Sequence, residues 1–152
     1  MIVTEFTVHG LPAPQGSKRH VGRGIMIESS KNVKPWREAV KHAALDAIDG
    51  NSPVEGQIRL SIVFWMPRPK SHYGTGRNAS VLKSSAPFWC ARTPDLSKLV
   101  RSTEDALTDA GVWRDDAQVV HLNVSKVYTE GAPAAVITVE LHLNDHPLGG
   151  AA

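Results

Sequence analysis

Cysteine is almost absent from this chain. A single one, Cys90, stands among 152 residues, which excludes an internal disulfide and every cysteine-rich zinc pattern. That scarcity fits a reducing, intracellular setting, although an extracellular protein without disulfides reads the same way. Long apolar runs are missing too. None approaches the roughly 20 residues that a bilayer-crossing helix needs. The opening stretch MIVTEFTVHG alternates in polarity and carries Glu5, so it does not read as a signal peptide. The expectation is a soluble, cytoplasmic protein with no membrane partner. Neither a GxxxxGK[ST] phosphate loop nor an HExxH pair occurs, there is no internal repeat, and Gly74-Thr75-Gly76 is too short a signal for a nucleotide loop. The seven histidines give no i, i+4 pair within either predicted helix. His9, His121 and His142 fall in strand-like segments and read as sheet-surface residues.

Acidic residues are missing from one long stretch. Residues 67–92 contain Arg68, Lys70, Arg77, Lys83 and Arg92 but no Asp or Glu, with Tyr73, Phe88 and Trp89 interleaved. Basic and aromatic residues together suit backbone tracking and stacking on unpaired bases, and a loop this long is usually functional or disordered. Charge is uneven over the whole chain. Residues 1–92 hold thirteen Lys/Arg against six Asp/Glu, a balance of +7; residues 93–152 hold four against nine, a balance of −5; together they make the net +2. A basic half attracts polyanions, and an acidic cluster repels them unless a cation intervenes. Nucleic acid plus metal accounts for both halves; solvated faces of opposite sign are the plainer alternative.

The hydrophobic periods give an order of elements. Residues 2–9 alternate as a half-buried strand. Residues 17–34, with Lys18, Arg19, Arg23, Lys31 and Lys34 among glycines, read as a mobile basic loop. A helix follows over residues 35–49, with Pro35 in its first turn and Gly50 at its exit. Trp36, Val40, Ala43, Ala44, Ala47 and Ile48 form its apolar face. Residues 57–66 are the clearest strand. A second helix runs from residue 94 or 95 to 110, closed by Gly111, with Leu96, Leu99, Val100, Thr103, Leu107 and Ala110 at core spacing. Ser97, Arg101, Glu104 and Thr108 lie roughly opposite. Strands at 118–128 and 134–143 then read as a hairpin across residues 129–133. The predicted fold is α+β, a two-layer β-α-β-α-β-β with a small mixed sheet and two helices packed on one face. Residues 1–143 read as one domain, with basic loops at about 17–34 and 67–92, and residues 144–152 as a flexible tail. Trp36, Trp65 and Trp113 read as core or interface aromatics.

Residues 93–120 carry the chemistry. An acidic residue opens a helix, a basic residue follows on its face, and an Asp-Asp pair precedes a strand. Carboxylates on the ends of regular elements can gather Mg²⁺, which commonly uses only one or two of them and fills its octahedron with water and phosphate. Such a cation orients a water against a phosphodiester and stabilises the leaving oxygen. Each residue also has an ordinary reading. Asp95 suits a helix cap or first turn, Asp115-Asp116 a polar turn, Arg101 a pair with Glu104 or Asp105, and Lys126 a solvated strand face.

Pro94-Asp95-Leu96-Ser97-Lys98-Leu99-Val100-Arg101, Asp105-Ala106-Leu107 and Asp115-Asp116-Ala117-Gln118-Val119-Val120 together resemble the RusA family of Holliday-junction resolvases. The likeness is strong over about these 28 residues, extends loosely to Lys126, and is echoed by Pro14-Gln15-Gly16-Ser17-Lys18-Arg19. The 67–92 loop has no firm counterpart in shorter members. The resemblance implies a homodimeric, Mg²⁺-dependent endonuclease, with Mn²⁺ as a substitute, that makes paired nicks at four-way DNA junctions. It implies Asp95 and Asp116 as catalytic, metal-binding aspartates with Asp115 as acidic neighbour. Arg101 takes the place of a lysine on the same helix. For DNA-backbone contacts the expected residues are Lys18, Arg19, Arg68, Lys70, Arg101 and Lys126.

Ser97 departs from the family, which commonly has a second aspartate there. Either the remaining aspartates suffice, or another carboxylate substitutes, or the chain cleaves poorly. Glu104 is the candidate substitute: seven residues on, it returns to nearly the same helix face, about 10.5 Å along the axis, and leans back toward Ser97. The alternatives are a non-catalytic junction-binding protein weakened by Ser97, and a nuclease of flaps or forks.

Overall fold

The alternation of residues 58–66 decides where the sheet lies. In the computed structural model, which describes residues 1–16 and 31–142 and the backbone of 18–20 and 26–28, these residues form a strand whose Ile58, Leu60, Ile62, Phe64 and Met66 are buried while Arg59, Ser61, Val63 and Trp65 face the opposite side. The elements in chain order are β1 (Ile2–His9), β2 (Lys18–His20), β3 (Met26–Glu28), α1 (Val33–Ile48), β4 (Ile58–Pro67), α2 (Leu96–Asp109), β5 (Val119–Thr129) and β6 (Ala134–Leu141). The predicted tail from residue 144 lies outside the described residues.

The fold is α+β, with a four-stranded mixed sheet in the order β1-β6-β4-β5. β4 runs antiparallel to β6 and parallel to β5. The expected hairpin of β5 with β6 is therefore wrong, because β4 lies between them. The register shows how the chain does it. Thr129 lies opposite Pro67, and Ala134 lies opposite Trp65, so the connection crosses the end of β4 where proline stops the ladder. Burial selects this order. β6 is buried at Ala134, Ala135, Ile137 and Val139 and takes an interior place; β5 exposes Val120 and Leu122 and takes an edge. Alternation records which face of a strand is buried but not which strand lies beside it.

Both helices contribute to one core with the Ile58–Met66 face: Trp36, Val40 and Ala44 from α1, and Leu99, Val100, Ala106 and Leu107 from α2. α1 starts at Val33, two residues before the expected start, and Val33 joins its buried face. The helices are keyed by a polar bond. Trp36 Nε1 donates to Thr103 Oγ1 at 3.1 Å, and Thr103 in turn donates to the Leu99 carbonyl at 2.8 Å. An indole N–H left unpaired there would cost about 1–3 kcal/mol. Beside it, Ser102 Oγ donates to the Ala13 carbonyl at 2.6 Å and ties α2 to the segment after β1.

Both basic segments contain regular elements among the described residues. β2 and β3 pair antiparallel, setting Lys18 opposite Glu28 and Arg19 opposite Ile27; the side chains of Lys18 and Arg19, both expected DNA contacts, lie outside the described residues. Residues 67–92 fold into two 3-10 turns, Lys70–His72 and Gly76–Asn78. Tyr73 bridges to Leu82 and Trp89 to Val127. Gly74 is required here for close approach, since a Cβ would sit 2.7 Å from the Asn78 backbone oxygen. Among the described residues no helix is long and apolar enough to cross a membrane.

Candidate active site

α2 begins at Leu96 with Asp95 at its N-cap, in extended conformation (φ −65°, ψ 135°). The Asp95 carbonyl accepts the Lys98 and Leu99 N–H groups, but its side chain makes no capping bond. The carboxylate is instead exposed beside Lys98, whose Nζ lies 3.4 Å away. It lines a cavity of about 690 Å³ with Arg92, Pro94, Lys98, Cys90 and Tyr128. A capping role does not account for this side chain. An exposed carboxylate at the positive end of a helix, on a cavity with a cationic rim, is a place to handle phosphate or a cation.

The segment before Asp95 is pinned by β5. Lys126 Nζ donates to the Arg92 carbonyl and, at 2.6 Å, to the Pro94 carbonyl. Cys90 N–H donates to the Lys126 carbonyl and Tyr128 N–H to the Phe88 carbonyl, both at 3.0 Å. Lys126 was expected to contact DNA; its ammonium holds the backbone that positions Asp95. Arg68 shows a similar difference. Its Nη1 donates to the Pro87 carbonyl at 2.6 Å, its guanidinium lies 5.0 Å from the Tyr128 ring centroid, and His72 meets the same ring edge-on at 4.9 Å. Burial and a hydrogen bond with Cys90 push the Tyr128 hydroxyl above the ordinary tyrosine range. The Arg68–His72–Tyr128 stack has no signal in the sequence, because its members come from two elements some sixty positions apart. Lys70 and Arg101 are exposed, as expected of phosphate contacts.

Asp115 and Asp116 open a 3-10 turn, Asp116–Gln118, before β5. Asp115 accepts Ala117 N–H at 2.8 Å, while Gln118 Oε1 accepts the Arg114 and Asp115 N–H groups and its Nε2 donates to the Val54 and Gly56 carbonyls. This reciprocal capping box leaves the neighbouring Asp116 side chain exposed. The charge of Asp116 is felt on α2. Burial raises the Glu104 carboxyl above the ordinary glutamate range, and Asp116 and then Asp105 raise it further. Burial likewise raises Asp105; Arg37 opposes the rise, and Asp109 and Asp116 add to it.

The charge of Asp116 therefore acts on Glu104, and Asp95 lies beside Lys98. Arg101 forms no ion pair with Glu104 or Asp105; the described salt bridges are Arg37–Asp109, Lys98–Asp95 and Arg114–Glu55. Among the described residues no group of three or more His, Cys, Asp or Glu converges as a metal cage, so Asp95, Asp115 and Asp116 are not gathered into one cluster. The donor chemistry nonetheless fits a hard cation, which needs only one or two carboxylate ligands. A cation there would offset the Asp116 charge that helps raise the Glu104 carboxyl. Ser97 is exposed on α2 and adds no carboxylate.

Two comparisons bear on this site. The family profile described as Endodeoxyribonuclease RusA matches residues 9–140. The protein YqaN of Bacillus subtilis (strain 168), described as uncharacterized, is 29% identical over 142 residues, covering 90% of this chain and 96% of that protein. The family match runs from the end of β1 into β6 and includes α2, both Asp-bearing turns and the cavity between β4 and α2. By that match this chain belongs to the RusA family of endodeoxyribonucleases.

Proposed function

We propose that this endonuclease resolves four-way DNA junctions by paired symmetric nicks, acting as a homodimer with Mg²⁺, for which Mn²⁺ substitutes. The observation that carries the reading is the Asp95 carboxylate, uncommitted to capping and set on a cavity rimmed by Arg92 and Lys98, within a chain of an endodeoxyribonuclease family. Asp95 and Asp116, with Asp115 beside it, would each offer a carboxylate to the cation, and Glu104 would supply negative charge that Ser97 lacks. A cation at these carboxylates would supply activation of a water and stabilisation of the leaving oxygen. Lys98 and Arg92 draw the scissile phosphate toward Asp95. Arg101 and Lys70 hold the flanking backbone, Arg101 through a planar fork suited to phosphate. A homodimer suits the substrate, since a two-fold assembly presents two equivalent sites to a junction with approximate two-fold symmetry.

The test is a labelled synthetic four-way junction with and without Mg²⁺. Symmetric nicks that vanish in Asp95→Asn and Asp116→Asn are expected. The rate should fall by more than the 10–100-fold typical of outer-shell changes, while junction binding survives or tightens as negative charge is removed. Near-parental nicking by either variant would make that aspartate structural. Ser97 keeps a second reading in view: shifted but intact DNA identifies a junction-binding protein, and preference for flaps a nuclease of those ends.

A further inference from the structure

Phe88 and Trp89 are 56% and 62% exposed, yet they do not sit on a free loop. Their rings meet edge-to-face at 5.1 Å. Their backbone is bonded on both sides: Arg68 to the Pro87 carbonyl, Tyr128 N–H to the Phe88 carbonyl, Cys90 N–H to the Lys126 carbonyl, and a bridge from Trp89 to Val127. Two large aromatics held open on a fixed edge are an unpartnered apolar surface. Their surroundings indicate the partner's charge. Trp89 lines a cavity of about 330 Å³ with Ser71, His72, Lys83, Ser85 and Arg92, and residues 67–94 contain no acidic side chain. The cations converge there: after desolvation, the charges of Arg68, Arg92 and Lys83 hold the His72 imidazole below the ordinary histidine range. Arg92 and Tyr128 also line the larger cavity that holds Asp95.

We propose that Trp89, supported by Phe88, and the basic cavity beside it form a binding subsite for an unpaired nucleotide of DNA, with the base stacked on the indole and the phosphate held by Lys83 and Arg92. Bases inside a duplex hide their faces in the stack, so an exposed aromatic selects those that have left it. Aromatic stacking tolerates any base, while hydroxyls and cations track the backbone without reading sequence. The shared Arg92 places the subsite next to Asp95, where it would hold a strand opened at the branch point and feed the phosphodiester to the carboxylate. The proposal rests on the reading of branched DNA as substrate and adds how the strand is presented.

The experiment uses full-length protein and a short oligothymidylate, with a duplex of equal length as control. Trp36 and Trp113 are buried and Trp65 half-buried, so quenching of exposed tryptophan fluorescence reports Trp89. Single strand should quench and duplex should not. Trp89→Ala should weaken oligothymidylate binding about 5- to 150-fold, the loss of one base–aromatic stack, and Trp89→Tyr should restore most of it. Lys83→Ala should lower the salt slope of binding by about one phosphate's worth. The His72 imidazole, followed by NMR, should titrate at higher pH with oligonucleotide bound, because phosphate offsets the surrounding cations. Equal affinity in parent and Trp89→Ala overturns the proposal. So does a Trp89→Ala protein that binds oligonucleotide normally but changes oligomeric state, which makes the pair an interface between copies. If the parent cuts no junction while Trp89-dependent single-strand binding persists, the resolvase reading fails and the subsite stands; if junctions are cut and oligothymidylate binding ignores Trp89, the subsite alone fails.

Discussion

Glu104 holds its proton more tightly folded than unfolded, first because it is half-buried and then because Asp116 lies near. Between the ordinary glutamate value and the raised one, the folded protein binds more protons at this group than the unfolded chain does. The contribution of Glu104 to stability therefore falls as pH rises through that window. In the presence of a chelator, Glu104→Gln should melt at higher temperature than the parent at neutral pH and lose part of the decline in Tm on going from about pH 4 to pH 8. Adding Mg²⁺ should raise the Tm of the parent more than that of the variant, by ligand linkage to the folded state. Thermal denaturation across pH, with and without Mg²⁺, measures both; superimposable curves would leave Glu104 outside the cation site. The position was partly legible in sequence, since the i, i+7 spacing from Ser97 pointed to Glu104. What sequence could not show was that Asp116 comes to it from the turn before β5.

At the scale of elements, β5 does two jobs. Its first half is an exposed edge, and its second half, through Lys126 and Tyr128, organises the segment leading to Asp95. Lys126→Met should therefore destabilise the fold by about 1–3 kcal/mol, because two carbonyls lose a charged donor, and should slow nicking by loosening Asp95. The salt dependence of junction binding should stay unchanged. A phosphate contact behaves oppositely, lowering the slope by about one with little effect on stability. Denaturant titration and salt titration of one variant decide between them. The alternation of residues 119–129 marks a strand either way. Whether the ammonium of Lys126 reaches water or a carbonyl depends on where residues 92–94 lie, and no local pattern encodes that.

Over the whole molecule, the positively charged 67–92 segment named in the sequence shares a cavity with the start of α2, where Asp95 and Lys98 stand. Junction affinity should fall steeply with salt as condensed counterions are released. Lys70, which is exposed, should lower that slope by about one when changed to alanine. Arg68→Ala should mainly weaken the packing of the loop, because its guanidinium is bonded to Pro87 and stacked on Tyr128. Equal slope changes from both variants, with no loss of stability in Arg68→Ala, would place Arg68 on the DNA after all.

The sequence by itself determined the elements and the chemical motif. Burying one face imprints a period of two on β4 and of 3.6 on α2, and the family's Asp95, Asp116 and Arg101 lie within a single run of about 28 residues. Only the tertiary structure decided the rest. It inserted β6 between β1 and β4, bonded Lys126 and Arg68 to backbone carbonyls, and brought the charge of Asp116 to bear on Glu104. Each of these depends on which segments far apart in the chain bury surface against one another, and that choice is made by the packing of the whole core.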